Sequence, residues 1–166
     1  MKKFILTDET IEMFGVTLHR IKAVRSFGNV KEGDLGGFVE KEENISENFE
    51  AWVCGNALVY SDALVCGDAL VYGNAKVYGN AKVYGNAEVC GDALVYGNAD
   101  YIVFKNWWSS GRYFTWTRSN NMWSVGCFYG TGEELIKKAY QDSEKSGREY
   151  ERVLKFVQSI LEEEEQ

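Results

Sequence analysis

The chain has 166 residues and a mass of 18.8 kDa, the size of one domain or of one domain with a small appendage. With 45% hydrophobic and 26% charged residues it is composed to fold, and no apolar run approaches the roughly 20 residues of a membrane-spanning helix. The balance of 18 Lys+Arg against 25 Asp+Glu, net −7, argues against a general phosphate-binding surface and so against nucleic acid as a partner.

The N-terminus, MKKFILTDET, carries an apolar stretch of only three residues, so no export signal is expected. Residues 1–32 alternate weakly, in KFILT and in GVTLHRIKAV, and predict strands that form an N-terminal β cap. A cap is needed, because the next segment repeats as a solenoid whose open end would expose unpaired strand edges.

From Ala51 the chain reads AWVCGN, ALVYSD, ALVCGD, ALVYGN, AKVYGN, AKVYGN, AEVCGD, ALVYGN, eight hexads without an insertion. The first position is always Ala and the third always Val. The last two are Gly-Asn, Gly-Asp or Ser-Asp, turn formers that accept left-handed backbone angles. Each hexad is thus a short strand and a corner. Alternate side chains of a strand share a face, so Ala and Val point to one side and the variable residues to the other. A single hexad cannot bury its own Ala and Val, but stacked coils can.

An aliphatic residue followed four positions later by a small one (Val53 to Ala57, Val59 to Ala63) resembles the hexapeptide repeat of left-handed parallel β-helices. In that family three hexads make one triangular coil of 18 residues. On that period Leu35 lies one coil before Val53, and Val39 and Ile45 fall on Ala positions, so GDLGGFVEKEENISENFE reads as a charged first coil. The expected fold is mostly β. It has an N-terminal β cap (1–32), a left-handed β-helix of about four coils (33–104), and a C-terminal β-hairpin with two helices (105–166).

The same period stacks the outward residues into ladders: Tyr60, Tyr78 and Tyr96 beside Leu58, Lys76 and Leu94, and Cys54, Tyr72 and Cys90 beside Trp52, Leu70 and Glu88. These faces are apolar enough to be covered, by the C-terminal segment or by a second copy. Leu58, Tyr60, Tyr78, Leu94, Tyr96, Trp52, Leu70 and Tyr72 are the candidate oligomer face of a dimer or trimer. The four cysteines show no CxxC spacing, and Cys54 and Cys90 lie about 9.6 Å apart at the stacking of a sheet. They read as free thiols of a cytoplasmic protein, with no metal site.

Residues 101–130 carry most of the tryptophan and predict strands with a turn at Ser119-Asn120-Asn121. Trp107, Trp108, Arg112, Tyr113, Trp116, Arg118 and Trp123 form the candidate binding surface, since Trp, Tyr and Arg dominate binding hot spots. By alternation Phe114 and Trp116 share one face and Tyr113 and Thr115 the other, one core and one exposed. Thr131 and Glu134 stand at capping-box spacing. Two helices complete the chain, split near Ser146-Gly147, with Val153, Phe156, Val157, Ile160 and Leu161 as a core-facing stripe and a solvated EEEE end.

Hexapeptide acyltransferases resemble one another in using a histidine base on a coil or an extruded loop. The only histidine here, His19, lies outside the repeat, and no loop interrupts the coils. Solenoid carbonic anhydrases need three histidines. The string LHRIKAVRSFGNVKEGDLGGFVEKEENIS, then the YGNA repeats, then VGCFYGTGEEL resembles small hexapeptide-repeat proteins of bacteriophages and prophages, a family often labelled transferase-like. With uninterrupted coils, no catalytic set and free cysteines, the chain reads as a cytoplasmic, non-enzymatic accessory protein of this phage type without a cofactor. Such a protein would bind a host protein, for example to inhibit an antiviral defence system. The alternative readings are an oligomeric binder of a small ligand, a nucleotide or sugar held near Arg112 or Arg118, and an acyltransferase using His19.

Overall fold

The computed structural model describes residues 1–166. An antiparallel hairpin, β1 (Phe4–Met13) and β2 (Val16–Ala23), turns at Phe14 and Gly15, both with left-handed backbone (φ 51° and 80°). Next, β3 (Leu35–Val39) pairs antiparallel with β2. The hexads form eight two-residue strands: β4 (Trp52–Val53), β5 (Leu58–Val59), β6 (Leu64–Val65), β7 (Leu70–Val71), β8 (Lys76–Val77), β9 (Lys82–Val83), β10 (Glu88–Val89) and β11 (Leu94–Val95).

These strands stack in parallel as β4-β7-β10, β5-β8-β11 and β6-β9, with Val53 on Val71, Val59 on Val77 and Val65 on Val83. The result is the expected β-solenoid, of three turns. Every repeat Ala and Val is buried, and together they form the largest core. This inward column is a direct consequence of strand alternation. The corners stack so closely that a Cβ on Gly67 would lie 2.9 Å from the Gly85 nitrogen. Gly67 also has φ 69°, so glycine serves both the turn and the approach. Ser61 replaces glycine at one corner with φ 59°, and its N–H donates to Glu40 Oε2 at 2.6 Å.

The N-terminal hairpin extends one solenoid face into a six-stranded sheet, β1-β2-β3-β5-β8-β11. The register of the charged segment differs from expectation. Val39 stacks on Val59 and Ile45 on Val65, so both occupy Val positions rather than Ala positions. Leu35 pairs with Lys22 and is exposed. The segment holds two more residues than a repeat coil, and the excess falls between Ser46 and Ala51, where Phe49 bulges outward with φ 60°. Lys3 fills the gap this leaves. It is wholly buried, and its ammonium donates to Ser46 O at 2.5 Å and Ala51 O at 2.9 Å.

The other end of the solenoid is closed by side chains. Each coil donates its N–H groups to the next, as in Leu58 N–H to Ala75 O and Lys76 N–H to Ala93 O. The last coil has no successor. Its N–H groups donate instead to side-chain oxygens: Lys82 to Asn98, Glu88 to Thr115, Leu94 to Ser119 and Tyr96 to Asp100. The strand edge is therefore occupied and unavailable for pairing.

The expected C-terminal hairpin is a four-stranded antiparallel meander: β12 (Tyr101–Lys105), β13 (Tyr113–Thr117), β14 (Met122–Val125) and β15 (Phe128–Gly130). Residues 101–104, read from the repeat as the end of the solenoid, pair with β13 instead. The two helices are α1 (Gly132–Asp142) and α2 (Glu144–Glu164). Thr131 forms the expected capping box with Glu134. The break between the helices falls at Ser143, not at Ser146-Gly147. Ser143 caps α2 by accepting from Ser146 N–H, and Gly147 sits inside the first turn because the Tyr140 ring packs where its Cβ would be.

The meander lies between the solenoid and the helices, so both of its faces are covered. Thr115 and Ser124 face the β10 ladder: Glu88 N–H donates to Thr115 Oγ1 at 2.9 Å and Ser124 donates to Glu88 Oε2 at 3.0 Å. Phe114, Trp116, Trp123 and Val125 join Leu135, Ala139, Tyr150, Val153 and Val157 in a second core. No helix is long and apolar enough to cross a membrane.

Candidate functional site

The seven candidate surface residues separate. Trp116 and Trp123 are fully buried in the second core and cannot belong to a surface. The expected split of β13 holds for Phe114 and Trp116, which are core, and for Tyr113, which is exposed, but not for Thr115. Thr115 is buried because the solenoid covers that part of the second face, where its hydroxyl accepts from Glu88 N–H. Trp108 is half-buried and donates its indole N–H to Ser146 Oγ at 3.2 Å. Its ring meets Tyr150 edge-on at 4.9 Å.

Arg118 lies at the opposite end of β13 from Arg112. It donates to Ala99 O and pairs with Glu164 of α2, so the acidic helix end is held by an ion pair as well as solvated. The two arginines therefore cannot converge on one ligand.

What remains exposed of the candidate surface is Trp107 (69% accessible) and Arg112 on the loop that follows Asn106, with Tyr113 (42%) at the start of β13. The cause is Asn106, which sequence reasoning missed. It is buried, and its Oδ1 accepts from both the N–H (2.9 Å) and the hydroxyl (3.1 Å) of Ser109, an Asx turn. Its Nδ2 donates to the Tyr150 hydroxyl at 3.4 Å, and burial raises the Tyr150 pKa. Backbone bonds from Asn106 N–H to Arg112 O and from Gly111 N–H to Asn106 O close the loop. The readable signal was the spacing Asn-x-x-Ser directly after a strand. Lys105 Nζ stands 5.8 Å over the Tyr113 ring, which adds positive charge to the aromatic rim. Residues 99–131 carry Lys105, Arg112 and Arg118 against Asp100 alone, making this the one basic stretch of an acidic chain.

The candidate oligomer face is largely used within the chain. Trp52 is buried against Phe4 and Phe27, at ring separations of 6.3 and 5.4 Å. Leu58 and Tyr60 are buried under Leu18 and Phe38 of the N-terminal sheet. Leu70 packs against the main core, and Tyr72 reaches Glu88 and Ser124 under the meander. Trp52, Leu58, Tyr60 and Tyr72 are thus met by the flanking segments within the chain, while Leu70 is half-buried. Tyr78 stacks on Tyr60 at 5.3 Å, and below it Leu94 and Tyr96 are open, Tyr96 to 62%.

His19 lies on β2 with Nδ1 at 3.1 Å from Thr7 O. No three His, Cys, Asp or Glu side chains group as a metal site would require. Cys54, Cys66 and Cys90 stand on the solenoid, and burial raises the pKa of each thiol; Cys127 is exposed on the turn before β15. No protein-family model matches the chain, and no curated protein matches it.

Proposed function

We propose that the chain is a non-enzymatic accessory protein of the phage hexapeptide-repeat type. It binds a host protein through the Trp107 loop, and inhibition of an antiviral defence component is the role that fits this type. The solenoid is the left-handed helix of that family, and residues 33–50 count as its degenerate first of four coils. The single observation that carries the binding reading is Trp107, 69% exposed on a loop pinned by a buried asparagine. Tryptophan is enriched among the residues that dominate binding hot spots, and a rigid loop spares the ordering entropy of binding. Tyr113, Lys105 and Arg112 around it favour an acidic partner surface.

The remaining open part of the tyrosine face, Leu94 and Tyr96, is where a second copy would sit. The protein works in the cytoplasm of a bacterial host, in keeping with four cysteines that pair with nothing.

The test is affinity capture from bacterial lysate with wild type and Trp107→Ala side by side. One host protein should be retained by wild type and lost with Trp107→Ala, while the variant keeps its melting temperature. Capture that is indifferent to Trp107, or no captured protein, rejects the reading. Native mass spectrometry tests the second copy: Tyr96→Glu should convert a dimer or trimer to monomer.

A further inference from the structure

A cavity of about 250 Å³ lies between the loop that carries Trp107, the turn before β15 and the junction of α1 with α2. Pockets for drug-sized ligands occupy roughly 300–1,000 Å³, so this one suits a molecule of only a few heavy atoms. Phe128 and Leu135 give it an apolar side.

Two buried hydroxyls line it, and each already accepts a hydrogen bond. Tyr150 is 5% exposed, and its hydroxyl accepts from Asn106 Nδ2 at 3.4 Å. Ser146 is 7% exposed, and its Oγ accepts from the Trp108 indole N–H at 3.2 Å. A hydroxyl has a proton to give besides its lone pairs, and neither of these gives its proton to an acceptor of the chain. Burial raises the Tyr150 pKa and keeps the group protonated, opposed by the Asn106 bond and the charge of Arg112. Buried polar groups are nearly always satisfied, so two spare protons on one cavity call for an acceptor inside it. The charges at the rim decide its kind.

Arg112 and Lys138 both line the cavity. Neither forms an ion pair, although acids outnumber bases 25 to 18 in this chain. Arg112 is held against the backbone of the turn before β15, where a Cβ on Gly126 would stand 2.5 Å from its Nη1. Lys138 Nζ stands 5.9 Å over the Phe128 ring. Asp142 is the one acid on the rim, and it too is unpaired. Two positive charges against one negative match a ligand with a single negative charge. A carboxylate also has about four lone-pair sites, one for each hydroxyl and each cation. We infer that this cavity binds a small aliphatic carboxylate. Its oxygens accept from the Tyr150 and Ser146 hydroxyls and face Arg112 and Lys138, and its short chain lies against Phe128 and Leu135. The site shares Arg112 with the Trp107 surface but needs no protein partner, so it does not rest on that reading.

The test uses the full chain, labelled with ¹⁵N and held at constant ionic strength. The reporters are the Trp108 indole N–H and the amides of Ser109 and Ser146. Butyrate, butyramide and butylamine are short chains that differ in the head group. Butyrate at about millimolar concentration should shift the reporters, the amide should shift them more weakly, and the amine should leave them in place. Lys138 and Asp142 are exposed at the rim, so their charges can be removed without touching the core. Lys138→Gln should weaken butyrate about fivefold, and Asp142→Asn should tighten it by about the same factor. A merely structural role of these residues would not move affinity in opposite directions. Butylamine that shifts the reporters as butyrate does overturns the proposal. So does an affinity that is equal in wild type and both variants, or no shift at ~10 mM butyrate.

Discussion

Thr115 Oγ1 accepts a hydrogen bond from the Glu88 N–H at 2.9 Å and so ends the solenoid. The bond joins the last turn of the repeat to the middle strand of the meander. It satisfies a donor that the next coil would otherwise have taken. Thr115→Val keeps the shape and removes the acceptor. It should destabilise the fold by about 1–3 kcal/mol, the penalty of a partly buried unpaired N–H. Urea denaturation measures this, and an unchanged midpoint would refute it.

Ser119 does the same for Leu94 on an exposed edge. Ser119→Ala should lower stability by only about 0.5–1.5 kcal/mol but leave an open strand edge. Concentration-dependent light scattering should rise in this variant.

Gly147 reverses the usual rule for glycine in a helix. In an open helix Gly→Ala adds about 0.5–1 kcal/mol of stability. Here a Cβ would overlap the Tyr140 ring, so Gly147→Ala should cost about 1 kcal/mol. Adding Tyr140→Ala should recover the helical gain, and a double-mutant cycle on thermal unfolding isolates the coupling.

Lys3 sets an alkaline signature. Burial lowers its pKa from 10.5 to about 8, with Glu47 opposing the shift. Between about pH 8 and 10.5 the unfolded chain binds more protons at this residue than the folded chain does, so its contribution to stability rises with pH. Other buried groups act in the opposite direction. Burial raises the thiol pKa values of Cys54, Cys66 and Cys90 above 9.0, and burial pushes Tyr101 up to about 12 and raises Tyr72 as well. For these acids stability falls once pH passes their unfolded values, above about 9 for the thiols and 10 for the tyrosines. The wild-type curve should therefore climb from pH 8, flatten above 9 and fall above 10. Lys3→Met should lose the climb. It should also lose about 1–3 kcal/mol at pH 7, because Ser46 O and Ala51 O are left without a donor. A variant with the same climb as wild type would reject this assignment.

Asn106 positions Trp107 without touching a partner. Asn106→Ala should cost about 2 kcal/mol through the two Ser109 bonds and the Tyr150 bond. Partner capture should fall although Trp107 is present, and amide exchange at Ser109 and Gly111 should accelerate. Asn106→Asp, which keeps the acceptor for Ser109, should restore most of the capture.

The hexads by themselves determined the solenoid. A period of six with Ala and Val on alternate positions leaves one way to bury them, and the Gly-Asn corners are local chemistry. The capping box at Thr131 was equally local. The charged segment before Ala51 was legible as a coil, but its register was not. Two extra residues cost little in a bulge, and whether Val39 meets Val59 or Ala57 depends on packing across the coil. The fate of the tryptophans lay beyond the sequence for a related reason. Alternation assigns side chains to two faces of a strand, but it does not say that both faces are covered. Only the tertiary structure placed the meander between the solenoid and the helices, burying Trp116 and Trp123, leaving Trp107 outside, and bringing Thr115 to the backbone of Glu88.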